Sequence, residues 1–498
     1  MTADIEVTFH DDVHLRVNAK ELSTIQELSE FFTFEVPGAK FTPAYKHRQW
    51  DGKIRLFSAA SGFLYTGLLP CIFDFASDRN YTLSVSSAFA ERYGRRASIT
   101  KDEVSEFCKS LNLQSGGNAI AAYDYQVDAV QHAIAHSRAL ILSPTGSGKS
   151  LIIYSLCRYY TGKTLVVVPS TSLVEQLYSD FQDYSTANGW STEDNVHRIY
   201  SGEEKITDKS IIITTWQSAI TMDKKWFTQF DNVIIDESHK VKSKCLTQIL
   251  TNMKNCRNRI GLTGTLDGME TNRLVIEGLT GKTHRVASTK DLMDQKLLSP
   301  LKIDSLLLRY NDETRKAVKK YTYPEEVDFL VSHPARNKFI VDLALHTKGN
   351  TLVLFQFVEK HGAVLNEMLQ KRLEGTNRKL FYIHGEVEAE VRNEMRSIVE
   401  NEKDAIILGS IGCMAVGINI RNLHNIVLAT PSKSRIQVLQ SIGRQLRKSA
   451  SKLVAKLYDI GDDLSWKSHK NYTLLHYLER LKIYNEEQFE YRTVSITL

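Results

Sequence analysis

The sequence predicts an α/β protein in which two parallel-sheet lobes stand in tandem behind a small N-terminal α/β domain. Three observations predict it. The chain of 498 residues exceeds what one hydrophobic core organises. Short apolar strands alternate with polar-helical stretches, the pattern of a parallel sheet covered by helices. That alternation runs twice, once between residues 118 and 310 and again from Thr351 onward.

Residues 1–112 form the small domain, opening with the alternating "DIEVTF" and a polar helical stretch after Ser23. Within it, "YKHRQWDGKIRLF" carries Asp-Gly, the favoured two-residue hairpin turn, so Trp50 is expected opposite Lys53 and Arg48 opposite Arg55. This register puts Arg48, Trp50, Lys53 and Arg55 on one face, where two facing arginines repel unless an anion lies over them. A phosphate-facing strip follows; the alternative is a solvated face with arginine stacked on Trp50. Ser115, Gly116 and Gly117 mark the boundary loop.

The first lobe, residues 113–312, holds "ALIL", "TLVVVP", "SIIITT", "NVIID" and "RIGLTG" as strands. Ligands of such sheets bind at the carboxyl ends of the strands. The second lobe, residues 313–498, repeats the pattern in "TLVLFQF", "KLFYIHG", "AIILGS", "NIVLAT" and "LVAKLYDI". The polar stretch from Arg309 to Thr347 reads as helical and as the hinge between the lobes. Near the C-terminus Leu474, Leu475, Leu478 and Leu481 share one helical face, with Arg480 and Lys482 opposite, which predicts a helix packed on the second lobe.

Composition excludes several classes. At 42% apolar and 24% charged residues the chain is neither disordered nor fibrous. No apolar run approaches the roughly 20 residues that span a bilayer, so no membrane is expected. The six cysteines are scattered without metal-ligand spacing and read as reduced, and the acidic start lacks the form of a secretory signal, so a cytoplasmic protein is expected. A net charge of +5 permits a polyanionic partner without establishing one.

The chemistry is concentrated in three stretches. In "ALILSPTGSGKS" a strand runs into Pro144, Thr145, Gly146, Ser147 and Gly148, and Lys149 and Ser150 open an apolar helix. Glycines let backbone N–H groups close on phosphate oxygens, the helix N-terminus favours negative charge, Lys149 reaches the β and γ phosphates, and Ser150 holds Mg²⁺. ATP and Mg²⁺ are the implied cofactors. "NVIIDESHK" ends a strand in Asp236, placed to hold Mg²⁺ through water, and Glu237, placed to take a proton from attacking water. In "QVLQSIGRQLRK", Arg444 and Arg447 lie three apart, so on a helix both project toward one target. Beside the other two stretches they read as arginine fingers, whose removal costs roughly 10³ to 10⁵ in rate.

In this order the three stretches resemble a superfamily 2 helicase or translocase with two RecA-like lobes. The resemblance extends to "AAYDYQVDAV", where it implies that Tyr123 and Gln126 read adenine. It makes His239, Thr263 and Thr265 of "LTGTL", and Gln440, coupling residues. "VVVPSTSLVEQ", "TTWQS", "IHGEV" and "GSIGCMAVGINI" are similar to the strand-contacting motifs, implying that Ser170, Thr215, Gln217, His384 and Ser410 touch a nucleic-acid backbone. A motor that steps along any sequence reads phosphates rather than bases. The chain departs from the pattern at Ser238, Asn419 and Ser441, none of them phosphate-facing.

At finer grain the N-terminal domain and the segment "LLHYLERLKIYNEEQFEYRTVSI" resemble those of a recombination and repair helicase of T-even bacteriophages. That implies an ATP-dependent motor, expected to be monomeric, that acts on branched or single-stranded DNA and on DNA–RNA hybrids in R-loops, driving branch migration. Two other classes stay open: a translocase on duplex DNA without strand separation, and an ATP-dependent nucleic-acid-binding switch.

Overall fold

A computed structural model describes residues 3–93, 99–200, 206–239, 244–266, 270–385, 387, 389–415, 420, 422–431, 434, 438–439, 441–443, 446 and 454–498. The chain divides into two units, one comprising Met1–Ser143 with Gly148–Val286, the other Ala287–Leu498 with Pro144–Ser147.

The first unit begins with a four-stranded sheet ordered Phe63–Tyr65, His14–Ala19, Ile5–Phe9, Leu83–Val85. Alternation in "IEVTF" sends Ile5 and Val7 into a core with Leu15, Val17, Leu28, Ile72 and Phe75. The following helix, Lys101–Ser110, starts with a capping box in which Glu103 N–H donates to Thr100 Oγ1 at 3.2 Å and Thr100 N–H to Glu103 Oε2 at 2.6 Å. Its Val104 and Cys108 enter the core of the next sheet, so the chain crosses to the first lobe before residue 112.

That next sheet has seven parallel strands, in the order Val196–Ile199, Ile211–Thr215, Thr164–Val168, Asn232–Ile235, Asn258–Thr263, Arg138–Leu142, Thr283–Arg285. Strands buried on both faces read as continuous apolar runs, which is why "ALIL", "LVVV" and "VII" were legible.

The small domain is fastened to this lobe. Asp12, 1% exposed, accepts from Arg92 Nε at 3.1 Å and from the Tyr93 hydroxyl. Its backbone N–H donates to Lys254 O at 2.9 Å, and its carbonyl accepts from Arg138, whose guanidinium lies 5.1 Å from the Tyr93 ring centroid. At Gly67 an added Cβ would stand 2.0 Å from the Glu277 carbonyl oxygen, so the backbones meet there without room for a side chain.

The second unit holds another seven-stranded parallel sheet, ordered Leu380–Ile383, Ile406–Ser410, Thr351–Phe355, Asn425–Leu428, Ala455–Asp463, Leu301–Arg309, Tyr491–Thr497. Taken in chain order, its strands occupy the same places as those of the first lobe. Even a buried clasp recurs: Asn232 Nδ2 donates to Thr164 Oγ1 at 3.0 Å, and Asn425 Nδ2 to Thr351 Oγ1 at 3.1 Å.

Three expectations need correction in this unit. Leu301–Arg309 lies inside the second sheet, although residues up to 312 were expected in the first lobe. The stretch expected as a hinge forms helices Asp312–Val318, Tyr323–Ser332 and Pro334–His346, which send Val318, Leu330, Ile340 and Val341 into the second core. The C-terminal helix, Tyr472–Glu486, packs on the second lobe as expected but not by its leucine face: Leu474, Tyr477, Arg480 and Ile483 turn inward while Leu475 is 44% exposed. Arg480 turns inward because the strand Ala455–Asp463 buries Asp459, to which it donates from Nε at 2.9 Å.

Candidate functional site: a phosphate loop facing an acidic strand end

The strand Arg138–Leu142 delivers the chain to the sheet's carboxyl edge, where Ser143 N–H donates to the Thr263 carbonyl at 2.9 Å. Gly146 and Gly148 adopt φ of 90° and 77°, left-handed values that suit a residue without Cβ. Ser147 N–H donates to the Pro144 carbonyl at 3.2 Å across the loop that contains Thr145. Gly148 caps the helix Lys149–Tyr159, whose first N–H groups thus face the strand ends.

Gln126 and Tyr123 meet the loop from the preceding helix, Asp124–His136. Tyr123 N–H donates to Gln126 Oε1 at 2.9 Å, and Gln126 Nε2 donates to the Gly148 carbonyl at 3.4 Å. An added Cβ on Gly148 would stand 2.6 Å from that nitrogen and push the Gln126 amide aside, while the left-handed φ is what favours glycine here. The Tyr123 ring is 49% exposed and stacks on Tyr125 at 5.7 Å, leaving a flat face for a base.

Lys149 Nζ donates to the Ser143 carbonyl at 3.3 Å. Asp236, at the end of the strand Asn232–Ile235, accepts from Glu237 N–H at 2.9 Å. Desolvation and the neighbouring Glu237 push its carboxyl up to about 6, while Lys149 pulls it back. Two carboxylates in a dry corner with one ammonium leave room for further positive charge. An all-oxygen site of this kind suits a hard divalent cation, so the residues fit Mg²⁺. Ser150 Oγ stands 2.9 Å from the Tyr184 hydroxyl, a partner the sequence reading missed because it comes from 34 residues away.

Glu237 has φ of 52°, uncommon for a residue with a side chain. Its Oε2 lies 3.2 Å from His239 Nδ1, which is 3.1 Å from Thr263 Oγ1. Thr263 Oγ1 donates to the Thr265 carbonyl at 2.8 Å and accepts from Thr265 N–H at 3.3 Å. The acidic strand end is thereby wired to the neighbouring one, and His239, Thr263 and Thr265 are brought together. Gln440, Arg444 and Arg447 lie outside the described residues.

The expected nucleic-acid contacts lie on separate elements of the two lobes. Ser170 caps the helix Thr171–Ser185 by accepting from Leu173 N–H at 3.4 Å, and Thr215 caps Trp216–Ala219 by accepting from Ser218 N–H at 3.2 Å. Gln217 is exposed beside it, and Ser410 ends its strand buried. The His384 ring lies 4.6 Å from that of Tyr382.

The hairpin expected at Asp51-Gly52 is corrected. Lys53–Arg55 pairs antiparallel with Thr33–Glu35, setting Arg55 opposite Thr33 and Lys53 opposite Glu35. Asp51 acts instead as a local acceptor, taking Lys53 N–H at 3.1 Å and Arg55 at 2.5 Å, and Trp50 Nε1 donates to the Lys53 carbonyl at 2.8 Å. Arg48, at φ of 55°, sits in the turn after a short helix, so no pair of facing arginines exists here.

Among the described residues no group of histidine, cysteine and carboxylate side chains could hold a metal by itself, and no helix is long and apolar enough to cross a membrane. Family models match three parts of the chain: "DNA helicase UvsW, N-terminal" over residues 4–86, "Type III restriction enzyme, res subunit" over 119–268, and "Helicase conserved C-terminal domain" over 335–449. The chain is 34% identical to the ATP-dependent DNA helicase uvsW of Enterobacteria phage T4, across 99% of this chain and 100% of that protein. The crystal structure of T4 UvsW matches 99% of both chains at 32% identity with a TM-score of 0.52. A Type ISP restriction-modification enzyme, LlaBIII, bound to DNA, shares the fold at 14% identity and a TM-score of 0.55, over 77% of this chain and 32% of that one. Tandem seven-stranded lobes, a phosphate loop wired to an acidic strand end, and identity along the full chain place it in the UvsW family of superfamily 2 DNA helicases, enzymes that hydrolyse ATP through two RecA-like lobes.

Proposed function

We propose that this helicase acts on branched DNA and on DNA–RNA hybrids, driving branch migration as a cytoplasmic monomer. The carrying observation is the wired corner of Lys149, Asp236, Glu237, His239 and Thr263, supported by likeness to the T4 helicase over the full chain. Pro144, Thr145, Gly146, Ser147, Gly148, Lys149 and Ser150 hold the triphosphate, and Tyr123 with Gln126 holds the base. Ser150 and, through a water, Asp236 would hold Mg²⁺, which would supply positive charge to the phosphates.

Glu237 takes the proton of the attacking water. Its carboxylate is aimed by His239, so a change at Thr263 or Thr265 reaches the base through one imidazole. Arg444 and Arg447 stabilise charge developing on the transferred phosphoryl group, and Gln440 passes the event to the strand-contacting positions. Ser170, Thr215, Gln217, His384 and Ser410 track the backbone.

Lys149→Ala is expected to lose nucleotide binding or turnover, Glu237→Gln to bind ATP and scarcely cleave it, and Arg447→Ala to bind normally and hydrolyse slowly. Wild-type turnover in any of them would remove that residue from the mechanism. Comparing ATPase stimulation by forked DNA, single strands, duplex and RNA hybrids tests the substrate class. Triplex displacement without strand displacement would replace this reading with a duplex translocase.

A further inference from the structure

The second lobe carries a basic and aromatic surface that nucleotide chemistry does not use. Strands Leu301–Arg309 and Ala455–Asp463 lie side by side in parallel and so end at the same edge. The chain leaving the first forms the helix Asp312–Val318 and then "KKYTY"; the chain leaving the second forms "LSWKSHKNY".

These excursions make one surface. Arg315 donates to the Ser465 carbonyl at 3.2 Å, and the Tyr323 ring lies 6.2 Å from Tyr472 and 5.0 Å from His476. Glu326, buried beneath, accepts from Asn471 Nδ2 at 2.8 Å and from Tyr472 N–H at 3.0 Å, which fixes the second excursion against the first.

Residues 315–323 and 464–476 together carry Arg315, Lys316, Lys319, Lys320, Lys467 and Lys470 and no carboxylate. All five lysines are exposed. Of the flanking acids, Asp312 pairs with Arg315 and Glu325 accepts from Thr322 N–H at 2.7 Å, while Glu313 is exposed on the same helix as Arg315. Among these cations Tyr321, Tyr323 and Tyr472 leave 37%, 38% and 43% of their surface in water.

The second excursion is also shaped. Trp466 N–H donates to the His469 carbonyl at 3.0 Å and His469 N–H returns to Trp466 at 3.1 Å, closing a two-residue hairpin. Lys467 stands at its tip with φ of 55°, a conformation that glycine adopts freely and lysine rarely does. Strained backbone of this kind collects at functional positions. Here it projects an ammonium group beyond the surface.

Clustered lysines attract a polyanion, and exposed aromatic rings between them offer faces for bases, which only an unpaired strand presents. We propose that this surface is a binding site for single-stranded DNA outside the helicase motifs. It rests on the reading of the chain as a DNA motor. It lies at the ligand-binding end of the second sheet, three strands from Ser410, about 14 Å along the edge. One strand can therefore engage the motif positions and this surface together.

The test uses the full chain, a labelled oligothymidine and fluorescence anisotropy over a range of KCl, without ATP. Substituting Lys319→Ala, Lys320→Ala, Lys467→Ala and Lys470→Ala together is expected to reduce the log–log salt slope by about 0.7 per lost contact, or about 2 to 3 in all. Tyr321→Ser with Tyr472→Ser should weaken oligothymidine binding roughly tenfold at fixed salt with the slope unchanged, and should leave blunt-duplex binding as it was. DNA-free ATPase and thermal midpoint, expected to match wild type, certify that both variants are folded. A wild-type slope in the lysine variant, or wild-type oligothymidine affinity in the tyrosine variant, overturns the proposal. Because the assay contains neither ATP nor a branched substrate, failure of the wild type to unwind forks would sink the proposed function and leave this result standing.

Discussion

His361 is fully buried in the second lobe, its Nδ1 3.3 Å from Thr430 Oγ1. Burial, reinforced by the nearby Arg336 guanidinium, lowers its pKa to about 3. The folded protein therefore keeps it neutral, while the unfolded chain takes up a proton below about pH 6.5. Its contribution to stability is complete above that value and is lost as pH falls toward 3, at up to about 1.4 kcal/mol per pH unit. Thermal midpoints should be level between pH 7 and 8 and fall between about pH 6 and 4, with a shallower fall in His361→Gln. An identical slope in that variant would assign the loss elsewhere, with His132, also lowered to about 3, next in line. Residues of the phosphate loop were legible because the conformation they need is local: two glycines and a helix start. Asp51-Gly52 misled because that dipeptide serves any turn needing an acceptor and a positive φ, and the strand that claims Lys53–Arg55 comes from residues 33–35.

At the level of elements, the C-terminal helix shows where amphipathic patterning fails. The leucine stripe pointed outward as often as inward, because the element is oriented by charge: Arg480 pairs with Asp459 at 2.7 Å, and the Tyr484 hydroxyl donates to the same carboxylate at 2.9 Å. Removing the guanidinium by Arg480→Met leaves Asp459 buried without compensation and should cost about 3–5 kcal/mol, read as a lower urea midpoint. Adding Asp459→Asn to that variant should recover part of the loss; no recovery would show that packing, not charge, holds the helix. The strands that escaped the sequence reading share a cause. Leu301–Arg309 is interrupted by Asp304 and Ser305, and Tyr491–Thr497, an edge strand, exposes most of its length and reads as polar. In the first sheet the five central strands, apolar on both faces, were all visible, and in the second four of the five were, Leu301–Arg309 being the exception.

For the molecule as a whole, the small domain and the first lobe form one unit whose joint closes on Asp12. Asp12→Ala strips Arg92 and Tyr93 of a buried acceptor and should separate one unfolding transition into two, the earlier belonging to the small domain, while ATP hydrolysis without DNA persists. A single transition in calorimetry would mean that the apolar and backbone contacts around Gly67 suffice. Nothing local in "HDDVHL" announces this role, since an aspartate among aspartates becomes a clamp only when residues 92 and 138 arrive from elsewhere in the fold.

The placing of Leu301–Arg309 between Ala455–Asp463 and Tyr491–Thr497 has a consequence for synthesis. On the ribosome, every strand of the first sheet has been made by Arg285, whereas this strand waits for partners that begin 146 and 182 residues after its own end. At bacterial elongation rates that delay is roughly 10–40 s. During it a nascent ATP-binding half stands folded beside an incomplete second half, and chaperone occupancy should peak on chains stalled between these points.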